Sequence, residues 1–174
     1  MKTIVFLDFD DVLAIHPDHT SSKVVAALKS VHAGESAELW ENVFNERARA
    51  NLRTLYDEFA PQFVISSSWA TYLSRDQVEE VLTRGCLGFV AGALHEHWRS
   101  AQDVGAFRVT DISRWLQQHE RELPFSYVIL DDVSSGKTLY GSRLESHTVF
   151  CGEWTGFIDA RLIESQIILR QQLS

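Results

Sequence analysis

The sequence predicts an α/β fold: a doubly wound (Rossmann-like) parallel sheet with helices on both faces and no large cap domain. Three observations predict it. Apolar runs at residues 3–8, 63–65, 126–130 and 147–151 are continuous rather than alternating, as in strands covered on both faces. Helical patterns separate them, giving the order β-α-β-α-β-α-β-α. Two of the runs end in acid pairs, at Asp8/Asp10 and Asp131/Asp132, and open α/β sheets place their ligands at the strands' carboxyl edge.

Bulk properties narrow the class. A chain of 174 residues makes one domain, residues 1–174, with room for a small helical insert at about 14–60. Hydrophobic residues make up 45% and charged residues 23%, as in ordinary soluble proteins. The net charge of -8 argues against loose binding to nucleic acid or membrane, although a local basic groove stays open. Cys86 and Cys151 read as two free buried thiols in a reducing compartment. No 18-residue apolar stretch occurs, and the start reads as no signal peptide, so the cytoplasm is the expected location.

In order, residues 3–8 form a buried strand that delivers Asp8 to the sheet edge, with Asp10 and Asp11 close behind. Acids so placed repel one another and are costly to bury without a cation. An all-oxygen carboxylate site suits Mg²⁺. His16-Pro17-Asp18-His19 reads as a loop, its histidines solvated or close to substrate. Ser21 or Ser22 caps a short helix over residues 23–31. Residues 37–59 carry a helical stripe, in one helix or two, with Trp40 in the core, and Pro61 ends it.

The next strand, Phe63-Val64-Ile65, runs into Ser66-Ser67-Ser68-Trp69. Hydroxyls and backbone N–H groups there can donate to a phosphate oxygen. Ser74 and Gln77 form a capping box for a helix that Gly85 closes. Gly88 and Gly92 bracket a short apolar stretch, read as a small strand. His95-Glu96-His97-Trp98-Arg99 lacks the histidine spacing of a helical metal motif and reads as a polar loop whose Trp98 and Arg99 reach substrate.

Thr110 or Asp111 begins a helix over residues 112–122, with Arg108 just before it. The strand at 126–130 ends in Asp131-Asp132, which would face Asp8 across one sheet edge. Gly136-Lys137-Thr138 imitates a P-loop end, but Asp131 stands where the pattern needs its first glycine. A last helix over 157–169 would pack through Ile158, Leu162, Ile163 and Ile167.

These motifs, in this chain order, resemble the haloacid dehalogenase-like (HAD) superfamily. The resemblance rests on Asp8-Phe9-Asp10-Asp11-Val12-Leu13, Ser66 after its strand, Arg108 as the basic residue, and Asp131-Asp132. The small size, the Ser66-Ser67-Ser68-Trp69 string and the Ile129-Leu130-Asp131-Asp132 string are most similar to the HAD domain of Swiss Army Knife RNA repair proteins. Three positions depart from the pattern: arginine replaces the usual lysine at 108, Asp11 stands where many members have glycine, and Ala70 follows Trp69 where the most similar subfamily often has arginine.

The resemblance implies a Mg²⁺-dependent phosphomonoesterase. Asp8 would be the nucleophile, forming an aspartyl-phosphate. Asp10 would be the general acid and then the general base. Asp8, Asp132 and the Asp10 backbone carbonyl would hold the metal. Ser66, Ser67 and Arg108 would bind phosphate, and Asp131 would orient Arg108. The substrate is a phosphorylated one: a nucleotide, a nucleic-acid end or a small phosphometabolite. Trp69, Trp98 and Trp154 could stack on a base, although the core is the commoner place for tryptophan. The alternatives are a catalytically silent domain or a receiver-like phosphate- and Mg²⁺-binding domain. The oligomeric state is left open.

Overall fold

The computed structural model describes residues 2–15, 21–29, 37–100, 107–119 and 125–174. The expected loop histidines His16 and His19 lie outside them.

The centre is a five-stranded sheet in the order β3-β2-β1-β4-β5. The strands are β1 (Lys2–Leu7), β2 (Gln62–Ile65), β3 (Leu94–Arg99), β4 (Phe125–Asp132) and β5 (Thr148–Cys151), and every pairing is parallel. The helices are α1 (Ser21–Lys29), α2 (Ala37–Asn42), α3 (Glu46–Phe59), α4 (Trp69–Tyr72), α5 (Arg75–Arg84), α6 (Gly88–Ala91), α7 (Arg108–Gln118) and α8 (Asp159–Leu173).

The continuous apolar runs are explained by the two layers they separate. Val5 and Leu7 of β1 face a large core with Leu52, Leu55, Val78, Val81 and Leu169 of α3, α5 and α8. Ile4 and Phe6 face the opposite way, onto Ile112 and Trp115 of α7. Successive strand residues point to opposite faces, so two covered faces demand apolar residues at every position. Trp40 is buried in the larger core, as expected.

Several expectations need correction. The polar stretch His95–Arg99 is not a loop but belongs to edge strand β3. Its burial falls off toward Arg99, because an edge strand needs less apolar cover. The stretch from Gly88 is helix α6, not a strand. Helix α7 starts at Arg108, with Phe107 as a cap that offers no side-chain hydrogen bond. The α8 packing face holds Ser165 and Leu169, with Leu162 and Ile168 alongside, whereas Ile163 and Ile167 are exposed. Cys86 is exposed, and only Cys151 is buried.

The α5 capping box forms as predicted, with Gln77 N–H donating to Ser74 Oγ and Ser74 N–H donating to Gln77 Oε1. Gly85 follows, but for a different reason than expected. Its φ is -79°, and the left-handed residue is Cys86 at φ 62°. A Cβ on Gly85 would lie 2.5 Å from Phe44 Cδ2, so the glycine lets α5 end against the α2–α3 segment. No helix among the described residues is long and apolar enough to cross a membrane.

Candidate active site

Strand register assembles the site. Leu7 pairs with Ile65 on one side and Leu130 on the other, so the residues just beyond them converge at the carboxyl edge. The Asp8 N–H donates to Leu130 O at 3.0 Å, and the Ser66 N–H donates to Leu7 O at 2.9 Å. Asp8 therefore stands between Ser66 and Asp131. The sheet order changes direction around β1, which opens the crevice where such folds hold ligands.

Asp8 is buried. Its Oδ1 accepts from the Phe9 N–H at 2.8 Å, and its Oδ2 faces Arg108 Nη2 at 3.0 Å. Arg108 also places Nε 2.7 Å from Asp131 Oδ2. That N–H is poorly aligned for a hydrogen bond, so the contact acts mainly through charge. The guanidinium thus bridges two aspartates from neighbouring strands. Its reach comes from its place in the first turn of α7.

Asp132 completes the cluster. Its Oδ1 accepts from the Ser134 and Ser135 N–H groups at 2.6 and 2.9 Å. Its Oδ2 is buried without a hydrogen-bond partner among the described residues, and so is Ser66 Oγ. Buried polar atoms without partners are uncommon. Here both lie at the crevice, one an acceptor suited to a cation and one a hydroxyl suited to a phosphate oxygen.

Ligand atoms of Asp8, Asp131 and Asp132 lie within 4.8 Å of one another. Three carboxylates against one guanidinium leave excess negative charge, and the donors are all oxygen. This fits Mg²⁺. The cluster includes Asp131, which also faces Arg108.

Electrostatics follow from burial. Burial raises Asp8 above the usual carboxylate range, and Asp132 adds to this, while Arg108, the Phe9 N–H and the Ser67 side chain oppose it. Burial also raises Asp131, well above that range, with the Asp8 charge adding to it. Burial lowers the Arg108 pKa, but the charges of Asp8, Asp131 and Asp132 outweigh it, so the group stays firmly protonated. Asp10 is pushed up to about 6, first by burial and then by the Asp8 charge. The Trp69 indole opposes that rise, its Nε1–H donating to Asp10 Oδ2 at 2.9 Å.

Trp69 is the residue whose role sequence reasoning missed. It is buried against Phe9 and Phe44, and it aims its one polar atom at Asp10. The signal available was its position directly after the serine-ended strand. The Asp11 substitution is also explained. Asp11 has φ 55°, a left-handed conformation that glycine adopts freely and that aspartate tolerates better than most residues.

The other flagged residues have partners of their own. His95 and His97 of β3 pack with Trp115 of α7 and with His119, which caps that helix, and the His97 N–H donates to His95 Nδ1 at 3.0 Å. Arg99 lies against Trp98 and donates to Ala70 O at 3.1 Å. The Gly136-Lys137-Thr138 stretch lies in a short 3₁₀ turn after β4.

Residues 4–162 match the family described as the HAD domain in Swiss Army Knife RNA repair proteins. The chain belongs to this family. Its HAD membership accounts for the parallel sheet and for the HAD-type hydrolase character of the site. No curated protein and no solved structure matches the chain.

Proposed function

We propose that this HAD domain is a Mg²⁺-dependent phosphomonoesterase that works through an aspartyl-phosphate on Asp8. The observation that carries the reading is the convergence of Asp8, Arg108 and Asp132 around two buried polar atoms without partners, Ser66 Oγ and Asp132 Oδ2.

A carboxylate oxygen of Asp8 is the attacking atom; Oδ1 accepts from the Phe9 N–H and Oδ2 from Arg108 Nη2. It forms a P–O bond as the bond to the leaving oxygen breaks. Arg108 has donors beyond its two aspartate contacts, and with Ser66 and Ser67 it would hold the equatorial phosphate oxygens. Asp8, Asp132 and the Asp10 carbonyl would hold Mg²⁺, with Asp131 within reach. When bound, the metal supplies neutralisation of phosphoryl charge.

Asp10 gives a proton to the leaving oxygen. With its pKa near 6 it is a competent acid at neutral pH, where a normal aspartate would be almost fully ionised. Its carboxylate then takes a proton from the water that attacks the phosphoryl group. Phosphate leaves and Asp8 is regenerated. The two free thiols fit a reducing compartment such as the cytoplasm.

The test is hydrolysis of p-nitrophenyl phosphate with and without Mg²⁺, in wild type, Asp8→Asn and Asp10→Asn. Turnover that needs the metal and both aspartates is expected. Turnover that survives Asp8→Asn contradicts the reading. A folded, Mg²⁺-binding wild type inert to a wide panel of phosphomonoesters favours the silent domain.

A further inference from the structure

Trp154 stands in the loop between β5 and α8, 61% exposed, with φ at 61°. Both features are unfavourable for a tryptophan. A left-handed conformation is rare for a bulky residue, and an exposed indole forgoes burial of its large apolar surface. Yet the loop is firmly placed. The Trp154 N–H donates to Asp11 Oδ1 at 3.0 Å, and the Phe157 N–H donates to Val12 O at 2.9 Å. Gly156 has φ 67°, and a Cβ there would lie 2.9 Å from Val12 O, so the loop is pressed against the turn that carries Asp10 and Asp11.

Register puts this loop at the mouth. Cys151 pairs with Asp132, so the chain beyond it leaves the sheet beside the acid cluster. Asp10 must meet the leaving oxygen of the substrate, and Asp11 is its neighbour in sequence. The Trp154 N–H bond to Asp11 ties the tryptophan to the turn whose Asp10 would meet whatever is attached to that oxygen.

We propose that Trp154 is a substrate-binding residue whose indole stacks on a planar ring in the leaving group. This rests on the phosphatase reading and narrows it. The substrate class is a phosphate monoester of the nucleoside monophosphate kind, either free or as the phosphorylated end of an oligonucleotide. Stacking on an indole tolerates any base, because every base has a flat face.

Two measurements test it. In the first, the ratio of kcat/KM for adenosine monophosphate to kcat/KM for glycerol phosphate is compared between wild type and Trp154→Gly. The ratio should fall at least about fivefold. Glycine suits the positive φ, so the variant should fold with an unchanged or raised melting temperature. In the second, Asp8→Asn with Mg²⁺ is titrated with adenosine monophosphate while tryptophan emission is followed. Quenching should appear, be absent with glycerol phosphate, and be lost in Asp8→Asn/Trp154→Phe.

An unchanged ratio in Trp154→Gly, together with quenching that survives Trp154→Phe, overturns the proposal. If wild type turns over no ester but the Trp154-dependent quenching persists, the phosphatase reading fails and the ring platform stands. A phosphorylated dinucleotide titrated in parallel separates the sources: tighter binding than the mononucleotide points to an oligonucleotide end, and weaker binding to a free nucleotide.

Discussion

Replacing Arg108 with methionine removes the cation that, among the described residues, faces both Asp8 and Asp131. The Arg108 side chain is 10% exposed and the two carboxylates 2% and 0%, so water can do little to compensate. Breaking a buried ion pair costs about 3–5 kcal/mol. Proton uptake by the stranded carboxylates limits the loss, so the lower end applies, about 3 kcal/mol at pH 7.5 in EDTA. For a chain of this size that lowers Tm by about 6–12 °C. Two treatments should restore stability. Mg²⁺ at about 100 times its dissociation constant should return about 2.7 kcal/mol. Acidification should also help. The folded-state pKa values of Asp8 and Asp131 are raised, so the stability from their protonation is present below the unfolded value of 3.8 and is lost as pH rises through the folded value. Methionine should steepen that dependence, and Tm at pH 5.5 should move back toward wild type. Thermal melts followed by circular dichroism, at both pH values with EDTA or Mg²⁺, provide the readout. If the variant melts like wild type at pH 7.5 in EDTA, or loses stability on mild acidification faster than wild type does, the account of Arg108 as the internal counter-charge is wrong.

Further outcomes follow from single contacts. Trp69→Phe removes the N–H that stabilises the Asp10 carboxylate, so Asp10 should titrate about one unit higher than in wild type. Carbon-13 NMR of the carboxyl groups in metal-free protein reads this, and an unchanged midpoint would mean that the indole bond is absent. Gly85→Ala should destabilise by about 1–3 kcal/mol through overpacking on Phe44, while Gly88→Ala, which meets nothing within 4 Å, should be neutral or mildly stabilising. Equal effects in urea melts would remove the packing explanation. Cys86 should react with Ellman's reagent in the native state, whereas Cys151, pushed up to about 12 by burial, should react only after unfolding.

The central strands were legible because both their faces are covered, which leaves an unbroken apolar signature in β1, β2 and β4. Edge strand β3 was not, since only its first residues are buried and its histidines resemble loop chemistry. Helix α7 begins at Arg108 without a capping side chain, so nothing in the local sequence marked its start. In α8, the isoleucines at 163 and 167 suggest the packing face by their apolarity, yet Ser165 faces inward, its Oγ–H donating to Arg161 O at 2.7 Å. At the site, Asp8, Asp131 and Asp132 were readable because acids at the ends of buried strands are costly. The Trp69–Asp10 and Trp154–Asp11 bonds were not, because they join residues 59 and 143 positions apart and depend on the loops' final placement.

The most direct measurement traps the phosphoryl group. Asp10→Asn with Mg²⁺ is mixed with p-nitrophenyl phosphate, whose leaving group departs without acid assistance, then quenched and reduced with borohydride, which converts an aspartyl-phosphate to homoserine. Mass spectrometry locates the change. Conversion at position 8, accumulating in Asp10→Asn and absent from Asp8→Asn, is the result predicted. Conversion at position 131 or 132 instead, or turnover in wild type with no conversion at any aspartate, would contradict nucleophilic catalysis by Asp8.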